Sequence, residues 1–477
     1  MREIVDGLKR YPRTCTWELT LRCNLRCGHC GSRAGTARAG EMSEELALRT
    51  TAELAALGCQ KVSLSGGEPT LSPYWDKVAA EGVRLGMKMN MIVSGVNGGR
   101  DLVRRAGNAG LNGLGVSLDG LEATHDRNRG LQGLYGRVMQ LIDDCHAVGL
   151  SVGVITTVWK GNLHELEAMH DLLAGRVYVW QLQLGAAMGN LSDHRADQIA
   201  PEDLLTIVPL VARLVERGQV NVHVADNIGY YGPYEDILRK RRTAPVSCWV
   251  GCYAGCRHLG IESDGGVKGC LSIQSTRATE GNLHKDSLRD IWMRPGAFSY
   301  NRAFQLDDLS GFCRTCEHAA VCRGGCLSMR TCEGGRDNPF CYHRVATLAD
   351  RDAERSRARY VPRMVVPAAL LAAFGLGCGS DDSAPGPEVK DAAQEWPPAG
   401  DAYGITFDGG QDGPDVGAEY YGMPGDAYGI PWDSPPVTDA GDESIDAADE
   451  TPPAGDAYGI PADADPDTGS WYGMPDQ

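Results

Sequence analysis

Between Thr14 and about residue 235, short apolar and β-branched runs alternate with stretches whose apolar positions recur at helical spacing. The strand candidates are TCTWELT from Thr14, KVSLSG from Lys61, KMNMIVSG from Lys88, GLGVSLDG from Gly113, SVGVITTVW from Ser151 and VYVWQLQL from Val177. Between the first two, SEELALRTTAELAALG places leucine and alanine on one helical face. Six strand–helix units of roughly 30 to 40 residues predict an α/β fold with a parallel, barrel-like sheet. In such a barrel the chemistry is expected at the C-terminal ends of the strands.

The pattern then changes. Residues 245–345 are dominated by cysteine and glycine with weak periodicity, which predicts a small domain stapled by metal. Residues 346–363 read as a charged helix or linker. Residues 364–378 form an apolar run ending at Cys378, preceded by Arg357, Arg359 and Arg363. The run is short for a bilayer span, but basic residues, an apolar stretch, small residues and a cysteine follow the order of a bacterial lipoprotein signal placed inside a chain. A buried or membrane-surface helix is the plainer alternative. Residues 379–477 are rich in Pro, Gly, Asp and Ala, and have too little apolar content to fold alone.

Charge follows the same division. Of the formal −17, the segment from Cys378 onward contributes 23 acidic residues against the single Lys390, leaving the body mildly basic. An acidic tail can therefore dock back on the body. No basic run interleaved with aromatics is present, which argues against nucleic acid as a partner. The 17 cysteines fall in short-spaced groups, and MREIVDGLKRYPRTCTWELT has no apolar signal-peptide core. Metal ligation in a reducing cytoplasm is expected, not disulfides.

Cys23-x3-Cys27-x2-Cys30 follows the first strand. The spacing sets three thiolates around one 4Fe–4S cube and leaves the fourth iron without a protein ligand, unlike a closed four-cysteine zinc site. Ser65 to Pro69 (SGGEP) ends the second strand, where glycines let backbone groups approach a ligand closely, and Val116 to Gly120 (VSLDG) ends the fourth. With HDRNRGLQGLYGRV downstream, residues 14 to about 235, within a core domain read as 1–235, resemble the radical S-adenosylmethionine (SAM) superfamily. The resemblance implies a partial (β/α)6 TIM-like barrel in which the open iron chelates SAM and one electron releases a 5′-deoxyadenosyl radical. It also implies Gly66, Gly67 and Glu68 on the SAM amino group, with Ser117 and Asp119 near the ribose or methionine portion. His29 stands where the family commonly has an aromatic residue. Cys15, Cys59 and Cys145 have no partners at ligand spacing and read as buried apolar residues.

Cys313-x2-Cys316-x5-Cys322-x3-Cys326, with Cys252 and Cys270 upstream and Cys341 after it, resembles the SPASM domain, which binds two auxiliary 4Fe–4S clusters. Carried over by position, Cys252, Cys256, Cys270 and Cys326 hold one cluster, and Cys313, Cys316, Cys322 and Cys341 the other. Cys248 is the alternative to Cys256, and Cys332 is left over. Zinc is the alternative metal for these thiolates. Family members that make formylglycine in sulfatases have an aspartate where this chain has Leu271, so that activity is not expected.

The tail repeats itself. PPAGDAYGI occurs at 397–405 and 452–460, GDAYGI again at 425–430, and Tyr403, Tyr421, Tyr428, Tyr458 and Tyr472 are each followed by glycine. Core and SPASM together resemble maturases of ribosomally made peptides, and the segment from Met364 resembles lipoproteins that accompany radical SAM enzymes. The expected function is oxidative modification of a peptide, at Tyr-Gly motifs of the tail or of a related precursor. An electron donor such as flavodoxin or ferredoxin is expected, as is membrane contact through 364–378. Two alternatives stay open: a radical SAM enzyme acting on an unrelated protein or small molecule with the tail as spacer, and a membrane-tethered display protein with structural clusters.

Overall fold

The computed structural model describes residues 11–239, 248–332 and 334–359. Cys378, the apolar run and the Tyr-Gly repeats lie outside the described residues.

The six strand candidates all form. They are β1 (Thr14–Thr20), β2 (Lys61–Gly66), β3 (Lys88–Val93), β4 (Gly113–Ser117), β5 (Ser151–Val158) and β6 (Val179–Leu184). Each pairs in parallel with the next. Helices α1 (Glu44–Ala56), α2 (Trp75–Arg84), α3 (Arg100–Asn108), α4 (Glu122–Arg129), α5 (Leu134–Ala147) and α6 (Leu166–Leu173) fill the crossovers. The N-terminus of α1 is fixed by Ser43, whose hydroxyl accepts from the Leu46 amide. The α/β class with a parallel sheet is thus as the periodicity predicts.

The alternation along each strand locates the interior. On β1, Trp17 and Leu19 belong to the apolar core, whereas Thr16 and Glu18 line a central cavity. The same wall receives Ser65 from β2, Ser117 from β4, Thr157 from β5, and Gln181 and Gln183 from β6. The cavity wall is mixed, because Ile92 and Val93 from β3, Ile155 from β5 and Leu184 from β6 also line it, and the interior is open where a filled barrel core would be packed.

The sheet extends beyond six strands on both sides. Helix α7 (Leu204–Arg217) leads to β7 (Val222–Val224), which pairs in parallel with β6. On the other side β8 (His258–Ile261) pairs in parallel with β1, and β9 (Gly266–Lys268) and β10 (Gly281–Asn282) continue antiparallel. The weak periodicity of 245–345 hides these elements because strands of two to four residues are too short to show a period. The last helix among the described residues, Tyr342–Arg359, overlaps the charged stretch. Among the described residues, no helix is long and apolar enough to cross a membrane.

Candidate active site

Cys23, Cys27 and Cys30 sit on the loop after β1, which an Arg22–Gly35 backbone bridge closes at its base. The Gly28 amide donates to the Asn128 carbonyl at 2.9 Å, tying the loop to α4, and Asn190 holds the Cys27 carbonyl at 2.8 Å. All three cysteines line the central cavity, of about 450 Å³. Donors are already aimed at each sulfur: the Leu25 amide at Cys23 (3.4 Å), the Ala34 amide at Cys30 (3.4 Å), and Arg129 Nη1 at Cys27 (3.8 Å). Such donors stabilise anionic sulfur. Burial opposes it most, and with Asp119, Cys30 and Cys23 it pushes the Cys27 thiol up to about 11 despite the Arg129 guanidinium. Thiolates in this position are therefore stable when a metal replaces the proton, and the donor set fits an iron–sulfur cluster.

The predicted SAM contacts divide into two groups. Gly66, Gly67 and Ser117 line the cavity. The glycines are dictated by a close approach: a Cβ at Gly66 would strike the Thr20 carbonyl, and one at Gly67 the Arg22 carbonyl. Gly66 also adopts φ +146°. The amides of Gly67 and Glu68 donate to those two carbonyls at 2.8 Å, so SGGEP seats the cysteine loop from below.

Glu68 and Asp119, by contrast, are not on the cavity wall. Glu68 is buried, with Oε1 accepting from the Thr70 hydroxyl at 2.7 Å and Oε2 from the Ser94 hydroxyl at 2.6 Å and amide at 2.9 Å. Its carboxylate clasps the ends of β2 and β3, leaving the cavity side to the glycines. Asp119 is fully buried and bonds His29 and Arg129. Burial would raise its pKa, but Arg129 and His29 outweigh that and hold the carboxyl well below the usual range.

The far wall of the same cavity carries Cys252, Cys270 and Cys326. The structure does not bring Cys256 or Cys248 to that wall; the Cys256 amide closes a turn onto the Tyr253 carbonyl. Cys313, Cys316, Cys322 and Cys341 converge instead on a separate cavity of about 20 Å³. Burial pushes the thiols of Cys313, Cys322 and Cys341 up to about 12, and neighbouring amides pull the other way. The Asn338 amide, for example, lies 3.3 Å from Cys313 Sγ. Among the described residues no cysteine forms a disulfide.

Several wall residues escaped the sequence reading. Lys268 on β9 is buried and pairs with Glu262 at 2.9 Å; Arg38 bridges Glu262 (3.3 Å) and Glu18 (2.6 Å). This chain of charges joins the β1 end of the barrel to the cysteine-rich segment. Tyr230 and Tyr231 both take positive φ, 74° and 60°. The Tyr230 hydroxyl accepts from the Cys326 amide at 2.9 Å, and the Tyr230 ring lines the small four-cysteine cavity. The signal was the Gly-Tyr-Tyr-Gly turn at 229–232, bracketed by glycines.

Comparison with known proteins agrees with this arrangement. Residues 17–173 match the radical SAM superfamily, and residues 252–317 match the SPASM iron–sulfur cluster-binding domain. The chain is 27% identical to an AdoMet-dependent heme synthase of Methanosarcina barkeri, over 70% of this chain and 97% of that protein. It is 28% identical to a PqqA peptide cyclase of Methylorubrum populi, over 73% of this chain and 91% of that one. Among solved structures, SuiB of Streptococcus suis bound to S-adenosylmethionine shares the fold, with TM-score 0.56 and 17% identity over 72% of this chain and 79% of that one. Cysteine loop, glycine seat and both matched domains lead to one conclusion: the chain is a radical SAM enzyme with a SPASM domain, and its cofactors are SAM and 4Fe–4S clusters.

Proposed function

We propose that this enzyme oxidatively modifies a peptide, at the Tyr-Gly units of its own tail or of a related precursor. The observation that carries the reading is the tail itself, in which PPAGDAYGI recurs without change and tyrosine keeps a fixed place in each unit. The similarity to a PqqA peptide cyclase supports the same substrate class. Tethering would hold a substrate near the cavity at roughly millimolar effective concentration, provided the linker reaches.

In this reading Cys23, Cys27 and Cys30 would hold the SAM-cleaving cluster. Cys313, Cys316, Cys322 and Cys341 would hold one auxiliary cluster, and Cys252, Cys270 and Cys326, with Cys256 or Cys248, the other. When bound, these groups supply a radical able to abstract hydrogen from unactivated carbon and an acceptor for the electron that oxidation releases. The chain's own part is placement. Gly66 and Gly67 open the floor to a close ligand, the inward Ser, Thr and Gln side chains offer donors and acceptors, and the walls limit water around a reactive carbon. A small electron donor such as a flavodoxin or ferredoxin, a cytoplasmic location of the enzyme domains, and membrane contact through residues 364–378 belong to the same proposal.

A second reading, action on an unrelated small molecule with the tail as spacer, is favoured by the similarity to a heme synthase. Anaerobic incubation with SAM and reductant, followed by tandem mass spectrometry of the tail, separates the two. Mass changes at Tyr403, Tyr428 or Tyr458 are expected; 5′-deoxyadenosine without any change in the tail or in a matching peptide would favour the second reading.

A further inference from the structure

Asp119 is saturated from three sides. Its Oδ2 takes Arg129 Nε and Nη2, both at 2.6 Å, and His29 Nε2 at 2.7 Å. Its Oδ1 accepts from the Thr157 amide at 3.0 Å, and its own amide donates to His125 Nδ1 at 3.1 Å. The Asp119 side chain is 0% exposed and that of Arg129 11%. The remaining nitrogen of Arg129, Nη1, lies 3.8 Å from Cys27 Sγ. Arg129 and His29 reach the cavity, whereas Asp119 stands behind them.

We propose that Arg129 is a positioning residue that raises the reduction potential of the cluster held at Cys27, and that Asp119 fixes it there together with His29. This rests on the reading of Cys27 as a cluster ligand. The physical ground is electrostatic. Reduction adds one negative charge to a cluster whose sulfur ligands are already anionic, and a guanidinium in a desolvated wall stabilises that added charge. Asp119 offsets part of the effect, so the ion pair acts as a dipole with its positive end toward Cys27. Only the planar fork of arginine can make two contacts to one carboxylate and still present a third nitrogen to the sulfur. The two members of the pair therefore bias the potential in opposite directions, which a purely structural brace would not do.

The test uses the anaerobically reconstituted full chain, with iron counted per chain and the SAM-site signal followed by EPR during a redox titration. In R129Q the reduced-to-oxidised ratio at fixed potential should fall about tenfold, equivalent to about 59 mV for a one-electron couple. D119N should move it upward, and R129K should lie between R129Q and the parent, while the auxiliary signals stay in place. Shifts of the same sign in R129Q and D119N, or no shift in either, would overturn the proposal. If D119N does not load iron, the contrast of R129Q with R129K decides. If R129Q loses about four irons and R129K recovers them, the charge role stands; loss in both overturns it in favour of packing. The ligand reading is tested apart from this: Cys27→Ala should lose about four irons, and full iron in that variant would remove the premise without any potentiometry.

Discussion

The cysteine loop after β1 and the group of Cys313, Cys316, Cys322 and Cys341 present their thiols in opposite ways. The first presents three thiols on one wall of a cavity of about 450 Å³, shared with strand residues and, on its far wall, with Cys252, Cys270 and Cys326. The second closes four thiols around about 20 Å³, with Tyr230, Asn338 and His343 at its border. A three-thiol wall leaves room for a ligand beside the metal; a four-thiol cage leaves room for the metal alone. Open and closed thiol sites are thus distinguished by the space around their sulfurs, as for catalytic and structural zinc.

Replacing Cys23, Cys27 and Cys30 by alanine should abolish SAM cleavage and remove about four irons, leaving the auxiliary irons in place. Retained cleavage, measured as 5′-deoxyadenosine, would mean that the open site lies elsewhere. Cys322→Ala is the converse: cleavage continues while product falls at least tenfold, and full product yield would deny the closed site any part in turnover.

A subtler break is Gly67→Ala. The added methyl would collide with the Arg22 carbonyl, so the loop must shift. Iron at the SAM site should fall several-fold, with auxiliary iron unchanged; equal loss at all sites would indicate general misfolding instead.

The smallest effect sharpens the contrast through pH. In the iron-free protein, burial raises the Cys322 and Cys341 thiols from 9.0 to about 12. Groups raised in the folded state contribute stability that is present below their unfolded pKa and lost as pH rises through the folded one. The melting temperature of chelated protein should therefore decline between about pH 9 and 12, while iron-loaded protein declines less. Identical profiles for the two forms, in thermal melts followed by circular dichroism, would contradict the metal-for-proton exchange.

Much of this is legible in the sequence alone. The six barrel strands are long enough to show a period, and Cys23-x3-Cys27-x2-Cys30 and SGGEP are local motifs whose chemistry follows from spacing. What was not legible depends on contacts distant in sequence. Asp119 reads as a ligand contact because it ends a strand, yet Arg129 and His29 claim its carboxylate. Glu68 reads likewise, and Ser94 of the next loop claims it. The partnership of Lys268 with Glu262, and of Tyr230 with Cys326, has no sequence period at all. Cys256 follows from position in a family pattern, and the wall of the cavity itself gathers Cys252, Cys270 and Cys326.

The pairing of β8 with β1 bears on how the chain must be made. Thr14 and His258, joined side chain to side chain at 2.8 Å, are 244 residues apart. Until the ribosome has delivered the later segment, β1 is an unpaired sheet edge bearing a row of free amides and carbonyls. Contacts of such separation form slowly, and exposed edges invite association with other chains meanwhile. Truncation near residue 250 would make that interval permanent. A barrel expressed alone would be expected to aggregate through β1, and co-supplied residues 248–359 would be expected to rescue it by capping the edge.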